Sequence, residues 1–200
     1  MTDDPKLEVL GQFTPEGKLT SGYGSHYLFL VGRDDTHGIM HYLLTNETLE
    51  HDFNMYGYDD QQLNDDIVTQ IKNPDMRVQG TLDKVQGGGV HEKAILEVDE
   101  TNDPEFSNDI VLGDSATHQI SHTKGGVLVG LGLAYEGSMN WSGSGEGTGI
   151  SLIPGVNSIK GFKNQNNTLV VSANPVFIAR FKARLAVEHQ IALNQQKGSQ

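Results

Sequence analysis

The sequence predicts an α/β fold in which a mixed β-sheet is flanked by helices on both faces of a single domain. Three observations point there. Segments with period-two hydrophobicity alternate along the chain with segments whose apolar residues recur about every four positions. The length, 200 residues, suits one domain with a sizeable core and would crowd two. Glycine- and proline-containing breaks fall between the periodic segments.

Taken in order, residues 1–25 are rich in glycine and charge with weak periodicity, and predict a loose N-terminal arm. The domain proper is expected over 26–195, with a disordered tail at 196–200. Asp34 or Asp35 can cap a helix through HGIMHYLLTNETLE, with Ile39, Leu43 and Leu44 inward. HDFNMYGY alternates at Phe53 and Met55 and predicts a strand. Asp59 or Asp60 caps the next helix, whose Leu63, Ile67 and Ile71 share a face, and Asn73–Pro74 ends it. MRVQGTLD is a second strand, QGGG at 86–89 a break, and HEKAILEV helical. DIVLG and the region 118–136 predict further strands, the latter folding back near Gly130–Leu131–Gly132. TLVVSA is the last strand. Asn174–Pro175 opens a C-terminal helix with Phe177, Ile178, Phe181 and Leu185 on one side.

Composition removes several functions. There is no cysteine, hence no disulfide, thiolate nucleophile or cysteine metal site. The acidic start MTDDPKLEVLGQ has no apolar signal region, and the run from Gly125 to Tyr135 is too short to span a bilayer. A soluble, cytoplasmic protein without stable membrane insertion is the expectation. The net charge of −12 opposes non-specific nucleic-acid binding at long range. A local basic cleft is still compatible with it, and Lys160, Lys163, Arg180, Lys182 and Arg184 make the last quarter the least acidic.

The chemistry concentrates at SHTKGGVLVG and EGSMNWS. On a strand, His122 and Lys124 point to one face, as do Ser138 and Asn140. A hairpin between them would bring both pairs to the same end of the sheet. An imidazole, an ammonium, a hydroxyl and an amide would then converge. Such a set suits a tetrahedral oxyanion, with Lys124, Ser138 and Asn140 donating to its oxygens while His122 attacks. Trp141 is expected to pack beneath the site. Each half of this pattern alone has a plainer reading, as a polar strand edge or a turn; the combination favours the site.

HTK followed by GSMNWS and then Glu146 resembles the H-x-K…G-S-x-N signature of the phospholipase D superfamily. FNMYGYDDQQLNDDIVTQIKNPDMRVQGTLDK and NNTLVVSANPVFIARFKARL are similar to the family's segments on either side, so the likeness spans roughly residues 50–190. It implies a phospholipase D/nuclease-like sandwich and a phosphodiesterase that works without cofactor or metal. In the implied mechanism His122 attacks phosphorus to form a phosphohistidine, and a second histidine protonates the leaving oxygen. Glu146 would hold the far nitrogen of His122. Nucleic acid is the favoured substrate and a phospholipid head group the alternative; a non-catalytic phosphate-binding or assembly module is the competing class.

One position departs from the family pattern. Five residues after Lys124, where the family carries an aspartate, stands Val129. A restored aspartate there is expected to leave activity unchanged or raise it. The only other H-x-K, His91–Glu92–Lys93, lies in a helical pattern where residues two apart diverge by about 200°. A two-fold homodimer supplying His122 from each chain is therefore the expected source of the second histidine.

Metal ligation is not expected. His37/His41 and His118/His122 have i, i+4 spacing, but neither is H-E-x-x-H, and 118–122 reads as strand. Asp34–Asp35 and Asp59–Asp60 read as helix caps. GSGEGTG at 143–149 lacks a Walker lysine and is expected to be a flexible lip over the site.

Overall fold

The computed structural model describes residues 4–19, 24–102, 109–149 and 165–197. Its elements are α1 (Pro5–Glu8), continued by a 3-10 turn over Val9–Phe13, β1 (His26–Leu30), α2 (Thr36–Asn46), β2 (Glu50–Met55), β3 (Tyr58–Asp59) and α3 (Gln61–Ile71). These are followed by β4 (Arg77–Asp83), α4 (Val90–Asn102), β5 (Ile110–Gly113), β6 (Lys124–Leu128) and β7 (Leu133–Gly137). Then come β8 (Trp141–Ser142), α5 (Gly143–Glu146), β9 (Thr168–Ser172) and α6 (Pro175–Lys197).

Seven strands form one mixed sheet in the order β1-β9-β7-β6-β2-β4-β5. β2, β4 and β5 run parallel, while β6, β7, β9 and β1 join by antiparallel pairing. A two-stranded piece, β3 with β8, is separate. The central β6 is buried along its whole length, which is why its sequence after Lys124 is glycine and apolar rather than alternating. Its two faces supply different cores. Leu128 joins the main cluster with Phe53, Met55, Ile39, Leu43, Leu63 and Ile67, under α2 and α3. Val127 packs instead with Ala134 and Leu185 under α6.

The predicted helix starts are set by local chemistry. The Asp35 carboxylate accepts the amide of Gly38 (2.9 Å), and that of Asp60 accepts the amide of Leu63 (2.9 Å). Each satisfies one of the amides that a helix start leaves unpaired.

Three expectations are corrected. The N-terminal segment is not a loose arm, because Leu7 and Leu10 are fully buried in the main core and draw residues 5–13 into helical turns. Segment 118–122 is not strand: His118 has φ 57° and β6 begins only at Lys124. GSGEGTG is not an open lip; Ser142 caps a helical turn there, Gly147 closes it in the left-handed conformation, and Gly145, Glu146 and Gly147 are buried. In the expected tail, α6 continues through Lys197, and residues 198–200 lie outside the described residues, as do Lys160 and Lys163.

Candidate functional site

Lys124 opens β6 and faces the main core side, opposite Met55 of β2. It is buried, and its ammonium donates to the carbonyl of His122 at 2.9 Å. The same ammonium stands 5.0 Å from the ring centre of Tyr56, and the His122 ring lies 4.7 Å from that ring. Tyr56 is thus a common platform for the histidine and the lysine, with a cation–π contact to the latter. Burial pushes the Lys124 ammonium below the usual lysine range. No carboxylate among the described residues forms an ion pair with it. His122 itself is exposed.

The peptide carrying His122 is pinned from three sides. The Ser121 amide donates to Asp83 at the end of β4 (2.6 Å), and Asn54 of β2 donates to the Ser121 hydroxyl (3.2 Å). Glu188 of α6 accepts from Asn54 (2.6 Å), from the Thr123 hydroxyl (3.4 Å) and from Arg184 (2.7 Å). A cavity of about 420 Å³ opens here; His122, Lys124, Glu136, Gly137, Arg184 and Glu188 are among its lining residues.

The β6–β7 hairpin forms as expected, with Gly125 opposite Glu136 and Leu128 opposite Leu133. Two glycines permit it. A Cβ on Gly126 would stand 2.5 Å from the Tyr135 hydroxyl, and one on Gly137 would stand 2.0 Å from the Thr168 carbonyl of β9. At the glycine of G-S-M-N the Thr168 backbone of β9 therefore leaves no room for a side chain. Ser138 follows at once and is exposed; its hydroxyl donates to Asn167 (3.1 Å) and accepts the Thr168 amide (3.0 Å). Asn140 packs its side-chain amide over Gly57, the neighbour of Tyr56, and its Oδ1 is buried with no hydrogen-bond partner. Beneath, Trp141 is buried among Phe53, Tyr58 and Tyr135.

Among the four expected donors and nucleophile, then, His122 and Lys124 meet on Tyr56, Asn140 adjoins the same peptide through Gly57, and Ser138 is engaged with β9. Glu146 stands elsewhere. Both its carboxylate oxygens lack a hydrogen-bond partner, and Oε2 lies 3.7 Å from Nε2 of His37, not at His122. The physical reason is the helical turn α5, which carries Glu146 inward toward α2; the Thr36 hydroxyl donates to the Glu146 carbonyl. Burial, and secondarily Asp60, pushes this carboxyl up to about 10. His37, Asp60 and Glu146 are the described residues that could hold a cation. His41 turns away to Asp66 at 2.8 Å, so the i, i+4 histidine pair does not converge.

His91 and Lys93 lie on α4, where Glu92 is the buried member. Val129 lies at the opposite end of β6 from His122 and packs against the cluster of Val127, Ala134 and Leu185. Of the α6 cations, Lys182 pairs with Glu50 and Arg184 with Glu188. Sequence reasoning did not find Tyr56, Asn54, Asp83, Asn167 or Glu188. Each acts through a contact at least 29 residues away in sequence, and no local signal marks it.

No protein-family model and no curated protein matches this sequence. Solved structures do match its fold. Nuc, a phospholipase D family member from Salmonella typhimurium, is 13% identical, with a TM-score of 0.56 over 82% of this chain and 93% of that one. NucT from Helicobacter pylori is 12% identical, with a TM-score of 0.59 over 82% of this chain and 95% of that one. Phosphatidylserine synthase from Haemophilus influenzae is 11% identical, with a TM-score of 0.50 over 76% of this chain and 34% of that one. The chain therefore has the fold of the phospholipase D superfamily.

Proposed function

We propose that the chain is a cytoplasmic phosphodiesterase that hydrolyses its substrate through a covalent phosphohistidine on His122, with a nucleic acid as the preferred substrate. The observation that carries this reading is the buried Lys124 ammonium without a carboxylate partner, held beside an exposed imidazole on one aromatic platform. An unpaired buried cation is costly and is relieved by an anion, and a phosphodiester brings one to within reach of a nucleophile. A ring nitrogen of His122 attacks phosphorus as the P–O bond to the leaving group breaks. Lys124 and Asn140 donate to the non-bridging oxygens, and Ser138 joins them if its hydroxyl turns from Asn167. The leaving oxygen takes its proton from a second imidazole. Water then attacks the phosphohistidine, releasing a phosphomonoester and restoring His122.

The second imidazole is assigned to His122 of a two-fold partner, since His91 is held on α4 near Asp59. A phospholipid head group is the second reading, favoured by the net charge of −12, which repels nucleic acid. Among the described residues no helix is long and apolar enough to cross a membrane.

The test is turnover of bis(p-nitrophenyl) phosphate, single- and double-stranded DNA and phosphatidylcholine vesicles in EDTA. Activity that vanishes in His122→Ala supports the enzyme, and the substrate preference separates the two readings. Equal inertness of wild type and His122→Ala on every phosphodiester would leave a phosphate-binding module. A monomer at micromolar concentration with full activity would refute the shared site.

A further inference from the structure

We propose that His37, Asp60 and Glu146 form a binding site for one divalent cation of zinc's class, which ties α2, α3 and α5 together behind Asn140. The three residues come from the first turn of α2, the cap of α3 and the end of α5. Their ligand atoms all lie within 4.8 Å of one another. His37 Nε2 is 3.3 Å from Asp60 Oδ1 and 3.7 Å from Glu146 Oε2.

The His37–Asp60 contact is a long hydrogen bond and the His37–Glu146 contact is too long for one, and both separations also suit ligands of a single ion. Hydrogen bonds from nitrogen to oxygen centre near ~2.9–3.0 Å. Two ligands of a tetrahedral ion with bonds of ~2.0–2.1 Å stand ~3.3–3.4 Å apart. The His37–Asp60 separation is already that edge; the His37–Glu146 edge is 3.7 Å, and the three ligand atoms, all within 4.8 Å, would draw together on the ion.

A second observation points to a ligand. Glu146 is fully buried, and neither of its carboxylate oxygens has a hydrogen-bond partner. Buried polar groups are ordinarily satisfied, and a buried carboxyl group with both oxygens unpartnered, aimed at an imidazole and another carboxylate, leaves a place for a ligand. One neutral imidazole and two carboxylates balance a dication. The donor set contains nitrogen and oxygen and no sulfur, which suits zinc and its first-row neighbours and disfavours the all-oxygen preferences of calcium and magnesium.

The surroundings hold the ligands in place. The Asp60 carboxylate also accepts the Leu63 amide, and the Thr36 hydroxyl anchors the Glu146 carbonyl. With three protein ligands and a water in the fourth position of a tetrahedral ion, the site is still nearly closed, since the side chains of His37 and Asp60 are only 13% and 11% exposed. It stabilises the turn that follows Asn140–Trp141–Ser142, and it does not depend on the hydrolytic reading.

The experiment uses the full chain freed of metal with a chelator, then titrated with Zn²⁺ by calorimetry and with Co²⁺ by visible absorption. One ion per chain is expected, with the intense cobalt bands of four-coordination. A rise in Tm of roughly 5–10 °C is expected at about a hundredfold excess over Kd. The chain has eight histidines, so variants must locate the ion. Glu146→Gln, nearly the same shape, and His37→Ala should each lose the stoichiometric site, whereas His118→Ala, at an exposed turn, should keep it. If His37→Ala fails to fold, Glu146→Gln and the cobalt spectrum decide. Absence of binding by wild type, or a site retained in folded Glu146→Gln, overturns the proposal.

Discussion

His51 makes the stability of this protein depend on acid in a way that can be isolated. The residue lies in β2, fully buried, with its ring stacked on Phe53 at 4.9 Å. Gln70 donates its amide nitrogen to the Leu44 carbonyl (2.7 Å), which turns its oxygen to Nδ1 of His51 at 2.9 Å. Nδ1 therefore carries the proton, and Nε2 accepts from the Tyr135 hydroxyl at 2.9 Å. In a charged ring Nε2 would have to donate as well, and the Tyr135 hydroxyl proton would lose its acceptor. Burial pulls its pKa from the ordinary 6.5 down to about 4.

The folded pKa is depressed, so the unfolded chain binds the extra proton between about pH 6.5 and about pH 4. The stability that His51 contributes is complete above the upper value and is lost as the pH falls through the lower one. The difference corresponds to about 3 kcal/mol, falling by at most about 1.4 kcal/mol per pH unit. Other groups titrate in the same range, and Glu146 works in the opposite sense because its folded pKa is raised. Urea unfolding of wild type and His51→Gln at several pH values removes them by difference. The advantage of wild type over the variant should shrink by about 3 kcal/mol between about pH 7 and about pH 4. An advantage constant to within about 0.5 kcal/mol across that range would refute the assignment of a neutral, buried His51.

Three further outcomes are expected. Lys124→Met should reduce phosphodiester turnover by about 10²–10³, the usual cost of removing one donor to a developing oxyanion, while thermal unfolding stays near wild type; a loss under about threefold would show that the lysine is not at the phosphate. Asp83→Asn should cost about 1–3 kcal/mol in urea unfolding, because one carboxylate oxygen accepts Ser121 N and the other accepts Val85 N (2.9 Å), and an amide can accept at only one. Val129→Asp should destabilise by about 1–3 kcal/mol without raising turnover. The valine packs against the cluster of Val127, Ala134 and Leu185, about 17 Å along the strand from Lys124, so a carboxylate there meets apolar side chains and not the phosphate.

Much of the secondary structure was legible because its causes are local. The caps at Asp35 and Asp60 act over three residues, and α3 shows its buried Leu63 and Ile67 in its own spacing. The hairpin of β6 and β7 was legible because its two strands are joined by a short turn at Gly130–Leu131–Gly132. The N-terminal segment was not, since Leu7, Val9, Leu10 and Phe13 form too short a run to show a period, and only the core that Leu7 and Leu10 enter gives them weight.

The same division runs through the site. Sequence by itself determined the HTK and GSMN segments and the hairpin that joins them, since β6 and β7 are linked by a short turn; His122 precedes β6, and Ser138 and Asn140 follow the end of β7. Tertiary structure decided what each side chain meets. Pairing of β2 with β6 brought Met55, and with it Tyr56, beside Lys124. The approach of β9 engaged Ser138. The buried turn α5 took Glu146 from the expected neighbourhood of His122 to that of His37 and Asp60. Burial and charge pairing are properties of elements distant in sequence, and only the assembled sheet brings them within reach.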